Sequence, residues 1–232
     1  MKTLGIIGGM SWESTQTYYS LINQGVKERL GGLHSAKILL YSVDFAQVEV
    51  LQASGDWGTA AKQLCSIAQG LEAGGAEAIL IVTNTMHKLA EQVQSAITVP
   101  LLHIADAAGE QLRLDGRKKV ALLGTKFTME EAFYTDKLVN DYGLDVIVPS
   151  QAQREIVHKV IYDELCLGQI RQTSRVAYCE IIDDLVHQGA DSIVLGCTEI
   201  PLLITADDSS APLYDTTALH AQAAIEFMLS ET

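Results

Sequence analysis

The sequence predicts an α/β protein with two pseudo-symmetric domains, each containing a parallel sheet covered by helices. Short, wholly apolar segments alternate with amphipathic ones along the chain, which is typical of parallel strands buried on both faces. The second half of the chain also repeats the pattern of the first. With 232 residues, of which 48% are hydrophobic, the chain can bury either one large core or two smaller ones.

The repeat is clearest where a predicted helix leads into an apolar strand. Placing "GAEAI" (75–79) over "GADSI" (189–193) uses an offset of 114 residues, and this offset carries Thr83 onto Cys197 without a gap. The preceding segments stay in register and have the spacing of one face of an amphipathic helix. The equivalent helix positions are Leu64, Ile67, Ala68 and Leu71 in the first half and Tyr178, Ile181, Ile182 and Leu185 in the second.

Two further pairs of segments give the order of the remaining elements. "LGIIGG" (4–9) is similar to "VALLGT" (120–125), and "VPLLHI" (99–104) is similar to "APLYDT" (211–216). Each half is therefore predicted to contain a strand, a glycine turn, a helix, further elements, a second helix, a strand, a loop, and a strand entered through proline. We expect a first domain at 1–115 and a second at 116–232, with a last helix that can pack back on the first.

Composition excludes several classes of partner. The formal net charge is −13 and no Lys/Arg run has the density that a polyanion site needs, which argues against DNA or another polyanion as a partner. No apolar stretch reaches the roughly 18 residues of a membrane span, and the first residues, "KTLGIIGG", contain no hydrophobic signal region. We therefore expect a cytoplasmic protein.

The four cysteines do not form a recognisable framework. Cys65, Cys166, Cys179 and Cys197 show no Cys-x-x-Cys spacing, and no histidine pair lies at a zinc-binding interval near them. Neither disulfides nor a bound metal are expected. Cys65 and Cys179 occupy equivalent helix positions, and core packing is the better interpretation for both.

Polar residues follow equivalent strands in the two halves. Thr83, Asn84 and Thr85 come directly after "AILIV", whereas "CTE" (197–199) comes directly after "SIVLG". Loops at the carboxyl ends of parallel strands gather at one edge of the sheet, where ligands bind. If a pseudo-two-fold axis relates the domains, Thr83 and Cys197 approach one ligand from opposite sides, in a cleft between the domains.

Three motifs carry a resemblance to a known family. "GIIGGMSWEST", "VTNTMH" and "GCTEIPLL" resemble the aspartate/glutamate racemase family, and the resemblance extends over essentially the whole chain. It implies a two-domain amino-acid racemase that needs no cofactor, has a catalytic cysteine in each domain, and forms a homodimer. The family usually has Cys-Asn-Thr in the first loop, so Thr83 departs from the pattern. This combination is most similar to the bacterial branch specific for L-aspartate and L-glutamate.

The chemistry of racemisation explains why two opposed residues are needed. One group removes the α-proton from one face of the amino acid while another delivers a proton to the opposite face. Cysteine suits both roles because its unperturbed pKa is about 8.5, whereas a threonine hydroxyl is a poor resting base. The resemblance implies that Cys197 removes the proton of the L-enantiomer. We therefore expect an enzyme with an asymmetric catalytic pair that prefers L-substrates, in which Thr83 lies on the face of the substrate opposite Cys197.

Further polar residues are candidates for substrate binding. Amide, hydroxyl and backbone N–H groups at helix amino termini suit an α-carboxylate, and Glu199 could orient the ammonium group or take the proton of the thiol. Gln52 is a weaker transfer from the family pattern. A glycine turn and a helix cap are the structural alternatives for several of these residues. The predicted set is Met10, Ser11, Gln52, Asn84, Thr85, Thr125, Thr198 and Glu199.

Substrate identity is left open by the sequence. An acidic side chain calls for a cation, ideally arginine, but the segment 43–46, where related racemases carry one, is "VDFA". Lys126 is a possible substitute, and other polar amino acids remain candidate substrates. His87 either contacts the first loop or is a buried structural histidine. A single-cysteine malonate decarboxylase and a catalytically silent amino-acid-binding protein are the alternative functions.

Overall fold

The chain forms two compact units, which differ in their limits from the expected domains. The computed structural model describes residues 1–231. The first unit contains Met1–His103 and the carboxyl-terminal segment from His220 onward, and the second contains Ile104–Leu219. The expected division at 115/116 therefore falls after a helix that belongs to the second unit.

The strands and helices of the first unit follow the predicted order. They are β1 (Leu4–Gly8), α1 (Trp12–Leu30), β2 (Ile38–Ser42), α2 (Phe45–Ser54), α3 (Trp57–Ala73), β3 (Ala78–Ile81), α4 (Ala90–Ala96) and β4 (Leu101–Leu102). A 3-10 turn, Thr85–Leu89, separates β3 from α4.

The remaining elements begin with the helix that follows β4, and the elements after it repeat the order from β1 to that helix with one additional helix. They are α5 (Ile104–Leu114), β5 (Lys119–Gly124), α6 (Lys126–Glu130), α7 (Ala132–Tyr142), β6 (Asp145–Ile147), α8 (Gln151–Asp163), α9 (Gln172–His187), β7 (Ser192–Gly196), α10 (Ile200–Leu203), β8 (Leu213–Asp215) and α11 (Thr216–Leu229). Short 3-10 turns lie at Leu165–Leu167 and Ala206–Asp208.

The two helices that follow β4 and β8 explain why the unit limits differ from the predicted ones. Helix α5 buries Ile104 and Leu112 in the core that contains Val120 of β5. The part of α11 after His220 packs its apolar residues against the sheet of the first unit. Helix α5 therefore follows a strand of the first sheet but covers the second sheet, and α11 follows a strand of the second sheet but covers the first.

Each unit contains one four-stranded parallel sheet, and the two sheets have the same topology. The strand orders are β2-β1-β3-β4 and β6-β5-β7-β8, and every pairing within them is parallel. The predicted fold class and the internal repeat are both confirmed. In each unit the first and third strands in chain order are neighbours at the centre of the sheet.

The central strands are buried on both faces, as expected from their wholly apolar sequences. Alternate residues of β1 enter different cores: Ile7 packs with residues of α3 and α4, whereas Leu4 and Ile6 pack with α1 and α11. In β5, Leu123 and Leu122 separate in the same way. Because successive side chains of a strand point to opposite faces, helices must cover both sides of the sheet.

The repeat extends to individual hydrogen bonds before β3 and β7. Gly75 and Gly189 have φ angles of 99° and 96°, a conformation that favours glycine. Before each strand an acidic side chain accepts a backbone N–H from the segment entering the first strand: Glu77 from Thr3 at 2.6 Å, and Asp191 from Lys118 at 2.8 Å. Within residues 1–231, no helix has both the length and the apolar composition that a membrane span requires.

Candidate active site

The strand order defines a switch point in each sheet, and the predicted site residues other than Gln52 directly follow the strands at these points. In open parallel sheets, ligands bind outside the carboxyl ends of two neighbouring strands whose connections leave in opposite directions. In the first unit these strands are β1 and β3, and in the second they are β5 and β7. Residues 9–11 and 82–85 follow the first pair, and residues 125 and 197–199 follow the second.

The turn after β1 is shaped by Gly9 and held by hydroxyl groups of α1. Gly9 has a φ of 89° and packs so tightly that a Cβ would lie 2.3 Å from the carbonyl oxygen of Val43. Its N–H donates to Thr15 Oγ1 at 2.8 Å, and that hydroxyl donates to the Ser11 carbonyl at 2.9 Å. Ser11 also caps α1, accepting the Ser14 N–H at 3.3 Å. Its structural role as a cap is therefore realised.

The remaining predicted residues of the first unit are brought close to the loop after β3. The Ser14 hydroxyl donates to the carbonyl of Val82, the residue before Thr83, at 3.3 Å. Gln52, which is buried on α2, donates to the sulfur of Met86 at 3.0 Å. Helices α1 and α2 thus place the turn after β1, which contains the buried Met10, and Gln52 around the same loop.

The first loop buries two of its three polar residues. Asn84 and Thr85 are 3% and 5% exposed, whereas Thr83 is half-buried. Within residues 1–231 the Thr83 hydroxyl makes no hydrogen bond, although its backbone carbonyl is engaged. The threonine that replaces the expected cysteine therefore has a hydroxyl that is available to a ligand.

His87 holds the Thr83 carbonyl. Its Nδ1–H donates to that oxygen at 2.8 Å, and the imidazole is buried. The ring centroid lies 4.5 Å from that of His103 and 5.8 Å from that of His220. Burial, and then the two neighbouring imidazoles, keep the pKa of His87 well below its usual value. Both sequence interpretations of His87 apply, because it is a buried histidine that contacts the loop.

In the second unit, Thr125 and Cys197 follow two glycines that are paired in register. Gly124 of β5 lies opposite Gly196 of β7, and a Cβ on Gly124 would lie 2.8 Å from the Gly196 carbonyl oxygen. Thr125 caps α6 by accepting the Thr128 N–H at 3.4 Å. The close approach of the two strands therefore brings the predicted residues of this unit together.

Cys197 donates its proton to a carboxylate of its own loop. Its Sγ lies 3.0 Å from Glu199 Oε2, and the Thr198 hydroxyl donates to the same oxygen at 2.7 Å. Cys197 is 7% exposed. Burial, and then the Glu199 charge, raise the pKa of the Cys197 thiol well above its usual value. The resting site is therefore a protonated thiol beside a proton acceptor.

Some neighbours of the site have no signal in the sequence pattern. Cys166 packs against the core that contains Cys197, and the electrostatic interaction between the two thiols is a further cause of the raised pKa of the Cys197 thiol. Within residues 1–231, none of the four cysteines forms a disulfide. His103 could have been found from its position after an apolar strand, but nothing local links His220 to this region. In the described part of the chain, no group of three or more His, Cys, Asp or Glu side chains is arranged to hold a metal ion.

Lys126, the candidate cation, begins α6 directly after Thr125. Its side chain is half-buried, and its backbone N–H donates to His158 Nδ1 at 3.3 Å. Burial, and then the charge of Lys126, lower the pKa of His158. A cation therefore lies at the carboxyl end of β5, in the same unit as Cys197.

Comparisons with known proteins agree with this fold. The Asp/Glu/hydantoin racemase family model matches residues 7–224. The broad specificity amino-acid racemase of Bacillus subtilis is 24% identical over 98% of this chain and 98% of its own length. A candidate Asp/Glu racemase from Yersinia pestis is 55% identical, with a TM-score of 0.94, and covers 99% of this chain and 100% of its own. An aspartate racemase homologue from Pyrococcus horikoshii is 34% identical, with a TM-score of 0.85 and the same coverage.

All three relatives are described as racemases or racemase homologues, and the family match spans nearly the whole chain. The chain belongs to the Asp/Glu/hydantoin racemase family, and it is an isomerase, an amino-acid racemase. The resemblance seen in the three sequence motifs is confirmed at this level.

Proposed function

We propose that this enzyme racemises aspartate and glutamate by direct proton transfer and prefers the L-enantiomers. Cys197 removes the α-proton of the L-substrate, and Thr83 serves the opposite face of the same carbon. The observation that carries the proposal is the buried hydrogen bond from the Cys197 thiol to Glu199. It combines a potential base with a group that can take its proton.

The Cys197–Glu199 pair supports the role of a base. A thiol becomes a nucleophile or base only after it loses its proton, and Glu199 Oε2 is 3.0 Å from the sulfur. The raised pKa of the thiol means that the free enzyme holds the proton on sulfur. The ammonium group of a bound amino acid would favour the thiolate, because a cation nearby stabilises the charged form. The thiolate then takes the α-proton.

The first loop supports a different role for Thr83. The repeat places Thr85 at the position of Glu199, so the first loop has no carboxylate to take a proton from the Thr83 hydroxyl. Thr83 can deliver a proton to the carbanion, or position a water that does so, but it is a poor base for D-substrates. This difference between the two loops is the physical reason for the proposed L-preference.

The remaining predicted residues are proposed to bind the amino-acid backbone. Asn84, Thr85 and Thr198 offer amide and hydroxyl groups at their strand ends, and the turn containing Met10 and Ser11 lies beside the first loop. Gln52 and Thr125 complete the set. We include no pyridoxal cofactor in the proposed reaction.

Lys126 is the proposed partner of the side-chain carboxylate. It is the half-buried cation nearest in sequence to Thr125. The "VDFA" segment contains no arginine, and the Bacillus subtilis relative is described as having broad specificity. A wider substrate range is therefore a specific alternative, and neutral amino acids belong in the test.

The proposal is tested by α-proton exchange in deuterium oxide, followed by NMR. Aspartate, glutamate, asparagine and glutamine are each supplied as separate L- and D-enantiomers to the wild-type protein and to Cys197→Ser. We expect exchange from L-aspartate and L-glutamate that is much faster than from the D-forms and that is lost in Cys197→Ser. Exchange confined to neutral amino acids would reject the acidic specificity. Carbon dioxide release from a malonate, without any exchange, would favour the decarboxylase instead.

A further inference from the structure

We propose that His87 is a positioning residue for Thr83, and that it controls how often a proton is delivered to the face opposite Cys197. The inference rests on the proposed function of Thr83. It concerns a side chain that is outside the predicted set of catalytic and binding residues.

The hydrogen bond fixes both the protonation of His87 and the backbone of Thr83. A carbonyl oxygen can only accept, so Nδ1 of His87 carries a proton, and the neutral ring is the Nδ1–H tautomer. The His87 N–H of the backbone also donates to the Asn84 carbonyl at 3.1 Å. Two bonds from one residue therefore hold two consecutive carbonyls of the loop. Because the hydroxyl of Thr83 is only one rotatable bond from the backbone, fixing the backbone largely fixes its position.

The surroundings of His87 keep the ring rigid and neutral. The titratable groups that face it are His103 and His220, whose rings contact it edge-on. His220 is itself held, since its Nε2–H donates to the Leu102 carbonyl at 2.8 Å and its Nδ1 accepts the Tyr18 hydroxyl at 3.0 Å. A ring that accepts at Nδ1 is neutral. His87 is thus packed against a neighbour whose orientation is set by two hydrogen bonds.

The internal repeat indicates that the hydrogen bonds of His87 position Thr83 and are not a requirement of the fold. The offset of 114 residues places Pro201 at the position of His87, and proline has no side-chain donor. The second unit builds the same strand, loop and following helical turn without such a histidine. In that unit, the loop carries a carboxylate that accepts from Cys197 and Thr198. The histidine is therefore present only beside the loop in which Thr83 occupies the position of Cys197.

A weak proton donor depends strongly on its placement. After Cys197 removes the α-proton, the carbanion is protonated either again on the same face or by Thr83 on the other. Small displacements of a reacting group lower such rates by large factors. Loosening the Thr83 backbone should therefore reduce inversion while leaving exchange on the original face intact.

The experiment compares these two outcomes in the same reaction. L-aspartate is incubated in deuterium oxide, and the ratio of deuterated D-product to deuterated L-substrate is measured at early times. We expect His87→Leu to lower this ratio by about tenfold or more, and His87→Asn, which keeps a side-chain N–H donor, to restore part of it. His187→Leu is the matched control: it removes an exposed imidazole on α9 whose Nδ1–H donates to the carbonyl four residues earlier, that of Asp183, at 2.7 Å, as His87 does to Thr83, so its ratio should equal that of the wild type.

Each result bears on a different statement. An unchanged ratio in His87→Leu, or an equal fall in His187→Leu, would overturn the positioning role while leaving the racemase intact. Absence of exchange in the wild type with every amino acid tested would overturn both proposals. A second measurement needs no variant: nitrogen-15 NMR of the wild-type protein should show His87 as the neutral Nδ1–H tautomer at pH 7, and any other form would contradict the inference.

Discussion

Replacing Glu199 with glutamine separates the two effects that this carboxylate has on Cys197. The carboxylate raises the pKa of the thiol and also accepts its proton at 3.0 Å. Glutamine has nearly the same shape and leaves a neutral oxygen in place of the charge. We expect Glu199→Gln to make the thiol easier to ionise and yet to slow racemisation, because no group remains to take the proton.

The expected magnitudes follow from the contacts. Glu199 is 5% exposed and accepts two hydrogen bonds, each worth about 1.5–3 kcal/mol to a charged group and about 1 kcal/mol to a neutral one. The weaker hydrogen bonds therefore lower the free energy of unfolding by about 1–4 kcal/mol. Removing a buried charge offsets part of this loss. A positioned general base contributes about 10²–10⁴-fold, which corresponds to roughly 3–5 kcal/mol in the activation barrier.

The assay follows both quantities in one preparation. Racemisation of L-aspartate is measured beside the rate at which iodoacetamide alkylates Cys197, with mass spectrometry distinguishing this thiol from Cys65, Cys166 and Cys179. We expect activity to fall by about 10²-fold or more while alkylation becomes faster at fixed pH. Activity within about threefold of the wild type would refute the assignment of Glu199 as the proton acceptor, and slower alkylation would refute its effect on the thiol.

The remaining predictions concern the first unit. Thr83→Cys should add a second base and raise α-proton exchange from D-aspartate relative to L-aspartate; an unchanged ratio would contradict the explanation of the L-preference. Because the pKa of buried His87 is depressed, its contribution to stability is present above its unfolded value near 6.5 and is lost as pH falls. Urea unfolding should therefore show that the free energy of unfolding decreases below about pH 6.5. In His87→Leu the same decrease should be less steep. Gly9→Ala, at a φ of 89° with a backbone oxygen 2.3 Å from the added Cβ, should lose about 2–4 kcal/mol. Gly55→Ala, at a φ of 72° with nothing within 4 Å, should lose only about 1 kcal/mol.

Much of the fold could be predicted because the same pattern of elements occurs twice in the sequence. A single offset aligned β3 with β7 and α3 with α9, and the face predicted for α9, from Tyr178 to Leu185, is buried. The domain limit could not be predicted in the same way. Whether α5 covers the sheet before it or the sheet after it depends on tertiary packing, and both choices satisfy the same periodicity.

Residues of the candidate site could be predicted where they directly follow a strand. They could not be predicted where they lie far from these strands in sequence and approach the site only in the folded protein. Thr83 and Cys197 come directly after buried strands, so sequence position alone places them at a sheet edge. His220 reaches the same region as His87 from a helix near the other end of the chain. Only the folded structure reveals that the imidazoles of His87, His103 and His220 form one cluster, in which His87 and His220 are buried and His103 is half-buried.

Because of the positions of α5 and α11, the second unit is an insertion within the sequence of the first, and the two units do not simply follow one another along the chain. The second unit is inserted between His103 and His220 of the first, and the two ends of the chain meet where the Lys2 N–H donates to the Met228 carbonyl at 2.9 Å. Excising residues 104–219 as one fragment would retrieve the whole second unit. No single cut could retrieve the first, whose residues become contiguous only in a circular permutant that joins the original termini.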